Sequence, residues 1–220
     1  MDLLDEFEQR QEQLAALEET VRGCPRCPLS QTRTLAVPGE GPADAAIMFI
    51  GEGPGANEDR TSRPFVGAAG QFLEGLLASI GLTRYDVYIT NVVKCRPPSN
   101  RDPLPNEIDA CKPYLVHQLK IIDPELIVTL GRFAMERWLP DKRITKVHGQ
   151  AFPYGRRLIV PMFHPAAALH QPHWRPLIEA DFLQLPAYIE QARQMRARLM
   201  EEANTTGDAA TEEAAQQRLL

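Results

Sequence analysis

The residues most able to do chemistry are four cysteines, a glycine-rich loop with carboxylates, and an Asn and a His that each follow an apolar run. Cys24, Cys27, Cys95 and Cys111 are the only cysteines in the 220 residues, spaced C-x2-C, then 67 residues, then C-x15-C. Pro25, Pro28, Pro97 and Pro98 stiffen the loops that carry them. A CxxC with a second pair can be a redox dithiol, a zinc tetrathiolate or an iron–sulfur site, and spacing does not choose between zinc and a [4Fe-4S] cluster. The loop from Gly51 to Gly70 carries Glu52, Glu58 and Phe65 among glycines that let backbone approach a ligand. Its start, Gly51-Glu52-Gly53-Pro54-Gly55-Ala56, formally satisfies the dinucleotide pattern G-x-G-x-x-A. That pattern needs a helix to begin inside it. Asn57 to Pro64 shows no apolar period, so the segment reads as a functional loop instead.

These residues need a frame to hold them. Four short apolar runs, 46–50, 87–90, 126–130 and 158–162, read as strands covered on both faces. Helical patterns lie between them at about 67–80, 105–121 and 131–138, and a long helix at about 174–202 closes the domain. The alternation predicts a three-layer α/β/α sandwich around a four-stranded, mainly parallel sheet. In such sheets ligands bind beyond the carboxyl ends of the strands. The segments at those ends are Gly51 to Gly55, Asn91 to Cys95, Gly131-Arg132, and Phe163-His164-Pro165. Ahead of the sheet, Leu3, Phe7, Leu14, Leu17 and Val21 recur at helical steps, so 1–22 is expected to be an amphipathic helix packed on the domain formed by 23–202. Residues 203–220 turn to Ala, Thr, Glu and Gln and read as a mobile acidic tail.

The formal charge of −5, from 24 Lys and Arg against 29 Asp and Glu, conceals an uneven distribution. Residues 1–22 hold 7 acids and 2 bases, and 201–220 hold 5 acids and 1 base, which leaves 23–200 with 21 bases and 17 acids. The body is mildly basic and compatible with a phosphate-backbone ligand. No apolar run reaches the length of a membrane span, and the first residues lack the pattern of an export signal. A cytoplasmic, nucleoid-associated, monomeric protein without disulfides is expected.

Three stretches together carry a family resemblance. They are Gly51-Glu52-Gly53-Pro54-Gly55 with Glu58-Asp59 and Arg63-Pro64-Phe65-Val66-Gly67-Ala68-Ala69-Gly70; Thr90-Asn91-Val92-Val93-Lys94-Cys95-Arg96-Pro97-Pro98; and His164-Pro165-Ala166-Ala167-Ala168-Leu169. In this order, with the four cysteines, they resemble family 4 uracil-DNA glycosylases over about residues 20 to 190. The resemblance implies hydrolysis of uracil from single- or double-stranded DNA without strand cleavage. It also implies a structural [4Fe-4S] cluster on Cys24, Cys27, Cys95 and Cys111, deciding between iron and zinc where spacing could not. A related subgroup that traps uracil-DNA covalently carries a basic, His-containing insertion after the third cysteine; Arg96 to Pro103 contains no His, which favours turnover.

The resemblance also distributes roles. Phe65 would stack on the flipped base, Asn91 would read uracil N3–H and O4, and Glu58 would crowd the C5 edge against thymine. His164, helped by the backbone at Gly53, would hydrogen-bond uracil O2. Cluster-free relatives place an Asp where this chain has Gly53, so the carboxylate that handles water or the sugar cation falls to Glu52. Lys94, Arg96 and Arg101 are expected on DNA phosphates, and Leu169 as the wedge in the vacated stack.

Overall fold

A computed structural model describes residues 3–206. Helix α1 (Leu3–Arg22) and a 3-10 turn (Pro28–Gln31) precede strand β1 (Ile47–Gly51). The chain continues through α2 (Ala56–Thr61), α3 (Ala68–Ser79), β2 (Tyr88–Asn91), α4 (Pro105–Ile122) and β3 (Leu126–Leu130). It closes with α5 (Arg132–Met135), α6 (Ile144–Val147), β4 (Phe152–Tyr154), β5 (Arg157–Met162), α7 (Pro165–His170), α8 (Arg175–Phe182) and α9 (Leu185–Thr206). The sheet order is β2-β1-β3-β5-β4, with all neighbours parallel except the β4–β5 pair.

The expected α/β/α layering is present, and the strands show why. Side chains alternate across a strand. Met48, Ile50, Ile127 and Ile159 therefore enter one apolar layer with Leu115 and Leu119 of α4 and Leu14 and Val21 of α1. Ile47, Phe49, Val128 and Val160 enter the other, against Leu73 and Leu77 of α3, Phe182 of α8 and Ala192 of α9. Both faces being covered, β1, β2, β3 and β5 are buried throughout.

Five strands replace the expected four. The fifth, β4, is three residues long, only partly buried and contains Pro153, so it makes no apolar run. Pro is tolerated there because β4 is an edge strand, turned back onto β5 at Gly155 with φ of +56°. The long helix expected over 174–202 is two helices. Pro186 has no N–H to give to the preceding turn, and the chain breaks at Leu183 and Gln184 before α9 begins. That helix runs past residue 202 to Thr206, and the rest of the expected tail lies outside the described residues. Among the described residues, no helix is long and apolar enough to cross a membrane.

The segment read as an irregular loop after Gly55 contains α2, too short to show an apolar period. A helix does begin inside the glycine motif, which removes the reason for setting the dinucleotide pattern aside. Another takes its place. The Glu58 carboxylate accepts the Gly55 N–H at 3.1 Å, so the protein's own anion occupies the amino end of this helix.

Helix α1 divides into two halves. Leu14 and Val21 are buried in the core, whereas Leu4 is 69% and Phe7 37% exposed. Its second half is therefore part of the domain's own core. Leu14→Ala should cost about 2–5 kcal/mol in chemical denaturation, while Leu4→Ala should change stability by no more than about 0.5 kcal/mol. Equal, small effects would show α1 to be a loose appendage.

Candidate active site

The carboxyl ends of β1, β2 and β5 open into one cleft, lined among others by Glu52, Gly53, Glu58, Phe65, Asn91 and His164. The register pairs Gly51 of β1 with Asn91 of β2. A Cβ on Gly51 would lie 2.4 Å from Asn91 Oδ1 and 2.7 Å from the Phe65 ring. Glycine is thus required there so that two neighbouring side chains can occupy the space. Asn91 is 1% exposed, and its Oδ1 is buried with no hydrogen-bond partner among the described residues. An amide oxygen left in that state costs about 1–3 kcal/mol unless a donor reaches it.

Phe65 adopts φ of +52°, the left-handed region that bulky residues avoid. Such strain costs on the order of 1–3 kcal/mol and persists only where surroundings over-determine it. Glu58 supplies part of that constraint, its Oε1 accepting the N–H groups of Val66 and Gly67 at 2.9 Å each. Gly70 supplies another, since a Cβ there would sit 1.8 Å from the Phe65 carbonyl oxygen. The Phe65 ring stacks on the His164 imidazole with centroids 5.5 Å apart. Glu58 does line the cleft, as expected, but its carboxylate is held by three backbone N–H groups of its own loop.

His164 caps α7, its Nδ1 accepting the Ala166 N–H at 3.1 Å. That bond assigns the proton to Nε2, which leaves the ring one donor. Burial lowers the imidazole pKa to about 4, so the ring is a neutral donor near pH 7. Glu52 is displaced in the opposite direction, up to about 7, first by burial and then by the neighbouring Asp102 carboxylate, with Arg132 opposing. Asp102 and Arg132 form an exposed ion pair at 3.4 Å.

The basic residues part company. Lys94 does not reach the surface: it is 1% exposed, and its Nζ donates to Thr90 Oγ1, the Asn91 carbonyl and Gln118 Oε1 at 2.5–2.7 Å. A phosphate contact by Lys94 is thereby ruled out, because its side chain follows β2 into the core rather than solvent. Arg101 lines the cleft with its guanidinium forked onto buried Glu107 at 2.6 and 2.8 Å. Arg96 is partly exposed and donates to Asn100 Oδ1. Leu169 is exposed on α7, beside His170. His170 lines the cleft although no motif distinguished it in the sequence, and Asp102 and Arg132 acquire meaning only through Glu52.

On the other side of Lys94, all four cysteines border a second cavity together with Arg26, Arg33 and Tyr114. Sulfur atoms there receive donors: Arg33 to Cys95 at 2.9 Å, the Lys94 N–H to Cys111 at 3.2 Å, and the Arg26 N–H to Cys24 at 3.4 Å. Burial pushes the Cys111 thiol up to about 11, with the neighbouring Lys94 opposing. Among the described residues, no three His, Cys, Asp or Glu side chains close on a single-ion site. Four cysteines around one cavity, with N–H donors aimed at three of their sulfurs, fit a cluster that takes one thiolate per iron.

A profile of the Uracil DNA glycosylase superfamily matches residues 38–185. Curated relatives extend the match beyond that range. The chain is 49% identical over 180 residues to a type-4 uracil-DNA glycosylase of Sulfurisphaera tokodaii, covering 77% of this chain and 81% of that protein. It is 46% identical over 181 residues to a type-4 enzyme of Archaeoglobus fulgidus, covering 77% and 91%. For a type-4 enzyme of Thermotoga maritima the figures are 48% over 163 residues, covering 73% and 85%.

The displaced carboxyl of Glu52 can be checked without assuming any reaction. In carbon-detected NMR of side-chain carboxyls, one Glu should titrate near pH 7. It should move down in Asp102→Asn, which removes a like charge, and up in Arg132→Ala. A Glu52 resonance titrating in the ordinary range near 4.3 would show that the cleft does not desolvate it.

Proposed function

The chain belongs to the uracil-DNA glycosylase superfamily, and from that premise we propose that it hydrolyses the N-glycosidic bond of deoxyuridine in DNA. The product is an abasic site for base excision repair, without strand cleavage. The observation that carries this reading is that Asn91, whose Oδ1 is buried and has no hydrogen-bond partner among the described residues, lines the cleft. Uracil N3–H supplies the missing donor. Cytosine N3 in its place would put two acceptors face to face, the kind of mismatch that discriminates strongly.

The glycosidic bond of a stacked nucleotide is inaccessible, so the nucleotide is extruded into the cleft. Phe65 then stacks on the base, and Asn91 accepts from N3–H while its NH2 donates to O4. Bond breaking sends negative charge onto the uracil and positive charge onto the sugar. The neutral His164 ring donates from Nε2 to O2, stabilising the first without placing a full cation beside the second. Glu52 as carboxylate orients the attacking water against the sugar. Arg96 and Arg101 hold phosphates, and Leu169 fills the vacated stack. Cys24, Cys27, Cys95 and Cys111 would hold a [4Fe-4S] cluster, whose part is to cross-link the amino-terminal segment to the loop that carries Arg96.

Incubation of the full chain with an oligonucleotide containing one deoxyuridine should release free uracil. In single-turnover assays His164→Ala should be slower on the order of 10²-fold, the usual cost of losing one donor to developing charge. Because Glu52 works deprotonated, the wild-type rate should rise with pH through about 7, and this rise should be absent in Glu52→Gln. The same preparation should contain iron and sulfide at about four per chain. No release of uracil from the oligonucleotide would reject the enzymatic reading, and stoichiometric zinc without iron the cluster.

A further inference from the structure

Phe65 holds its left-handed conformation between two anchors, and only one of them belongs to its own motif. On the carboxyl side, Glu58 takes the N–H groups of Val66 and Gly67. On the amino side, the carbonyl of Pro64 accepts from Arg84 Nη2 at 2.8 Å. Arg84 lies in the turn between α3 and β2, 20 residues along the chain from Pro64. It is 8% exposed, and its other donors are committed as well: Nε to Glu40 at 3.0 Å and Nη1 to Glu74 at 2.7 Å. Glu40 in turn receives Arg63 through Nε and Nη2, both at 2.7 Å.

We infer that Arg84 is a positioning residue for base recognition, fixing the Pro64–Phe65 backbone so that the Phe65 ring stands against His164. This rests on the excision reading above. The observations single out Arg84 for three reasons. A buried guanidinium must satisfy its donors, and here one of them is spent on a carbonyl immediately preceding the strained residue. That carbonyl would otherwise be free to turn with the Phe65 φ. Glu40 joins Arg84 to Arg63, so the residues on the amino side of Phe65 form one charged lattice clamped to the body of the domain. A lysine could keep the charge near Glu40 and Glu74, but a single ammonium cannot span those carboxylates and the Pro64 carbonyl as a planar fork does.

The test is a double-mutant cycle on the full chain. Arg84→Lys should lower the uracil excision rate by tenfold to a hundredfold, on the order expected for a sub-ångström to ångström misplacement of a reacting partner. The KM for DNA should stay within about twofold, since phosphate contacts are untouched. Placed on Phe65→Ala, the same substitution should slow the enzyme by less than about twofold further, because the ring it positions is already gone. Glu74→Gln, which removes the partner of Arg84 that leads away from Phe65, should leave the rate unchanged. Independent, multiplying losses in the double variant would overturn the inference, and so would a Glu74→Gln loss equal to that of Arg84→Lys. Should Arg84→Lys not fold, Glu40→Gln on a partly exposed partner is put through the same cycle and judged by the same two outcomes. A wild-type chain that releases no uracil would instead defeat the excision reading itself.

Discussion

A carbonyl oxygen shut away from water and from every donor is unfavourable, and a fold keeps one only if the rest of the chain holds it in place. Among the described residues no donor reaches the buried Asn91 Oδ1, and much of the molecule serves to keep it there. Parallel pairing puts Asn91 level with Gly51, which has no side chain to displace it. Lys94 Nζ holds the Asn91 main-chain carbonyl while bonding Thr90 and Gln118, themselves buried. Lys94 is flanked by two of the cysteines in space, through Cys95 in sequence and through its N–H on Cys111. The segment from Asn91 to Cys95 therefore runs from the cleft, which Asn91 lines, to the cysteine cavity, which Lys94 and Cys95 line.

Burial acts on the other two polar groups of the cleft in a consistent way. It drives both toward neutrality, lowering His164 and raising Glu52. For the histidine this completes the assignment of its proton: a neutral ring whose Nδ1 accepts from Ala166 keeps its one N–H on Nε2. For Glu52 it places the ionisation within the range where an enzyme works, with Asp102 and Arg132 pulling in opposite directions. Two groups displaced in opposite senses by the same desolvation thus line one cleft.

How much of this was legible in the sequence depended on range. Strands β1, β2, β3 and β5 are mostly apolar and buried throughout, and announce themselves; β4, three residues long and only partly buried, does not. Pro186 was in plain view within the pattern read as one long helix, yet the apolar period on either side of it continues across the break, because α8 and α9 pack on the same face of the sheet. Glu52, Phe65, Asn91 and His164 sit in contiguous motifs at strand ends, and it was the family resemblance those motifs carry, more than residue type alone, that singled them out; the structure gathers them on one cleft. Lys94 was misread because charge suggests solvent, and only tertiary structure supplies the three buried oxygens that accept its protons. Arg84 and His170 carried no signal at all: their partners are set by how the chain folds back, and no local pattern records it.

The central claim is that Asn91 Oδ1 waits for the N3–H of a uracil. Calorimetric titration of the full chain with free uracil and with N3-methyluracil tests it without DNA, catalysis or mutation. The methyl compound keeps O2, O4 and the ring face, but it lacks the donor and sets an apolar group against a buried oxygen. Uracil is predicted to bind, and N3-methyluracil to bind at least about 100-fold more weakly. Equal affinity for the two would mean that the oxygen of Asn91 does not read the base.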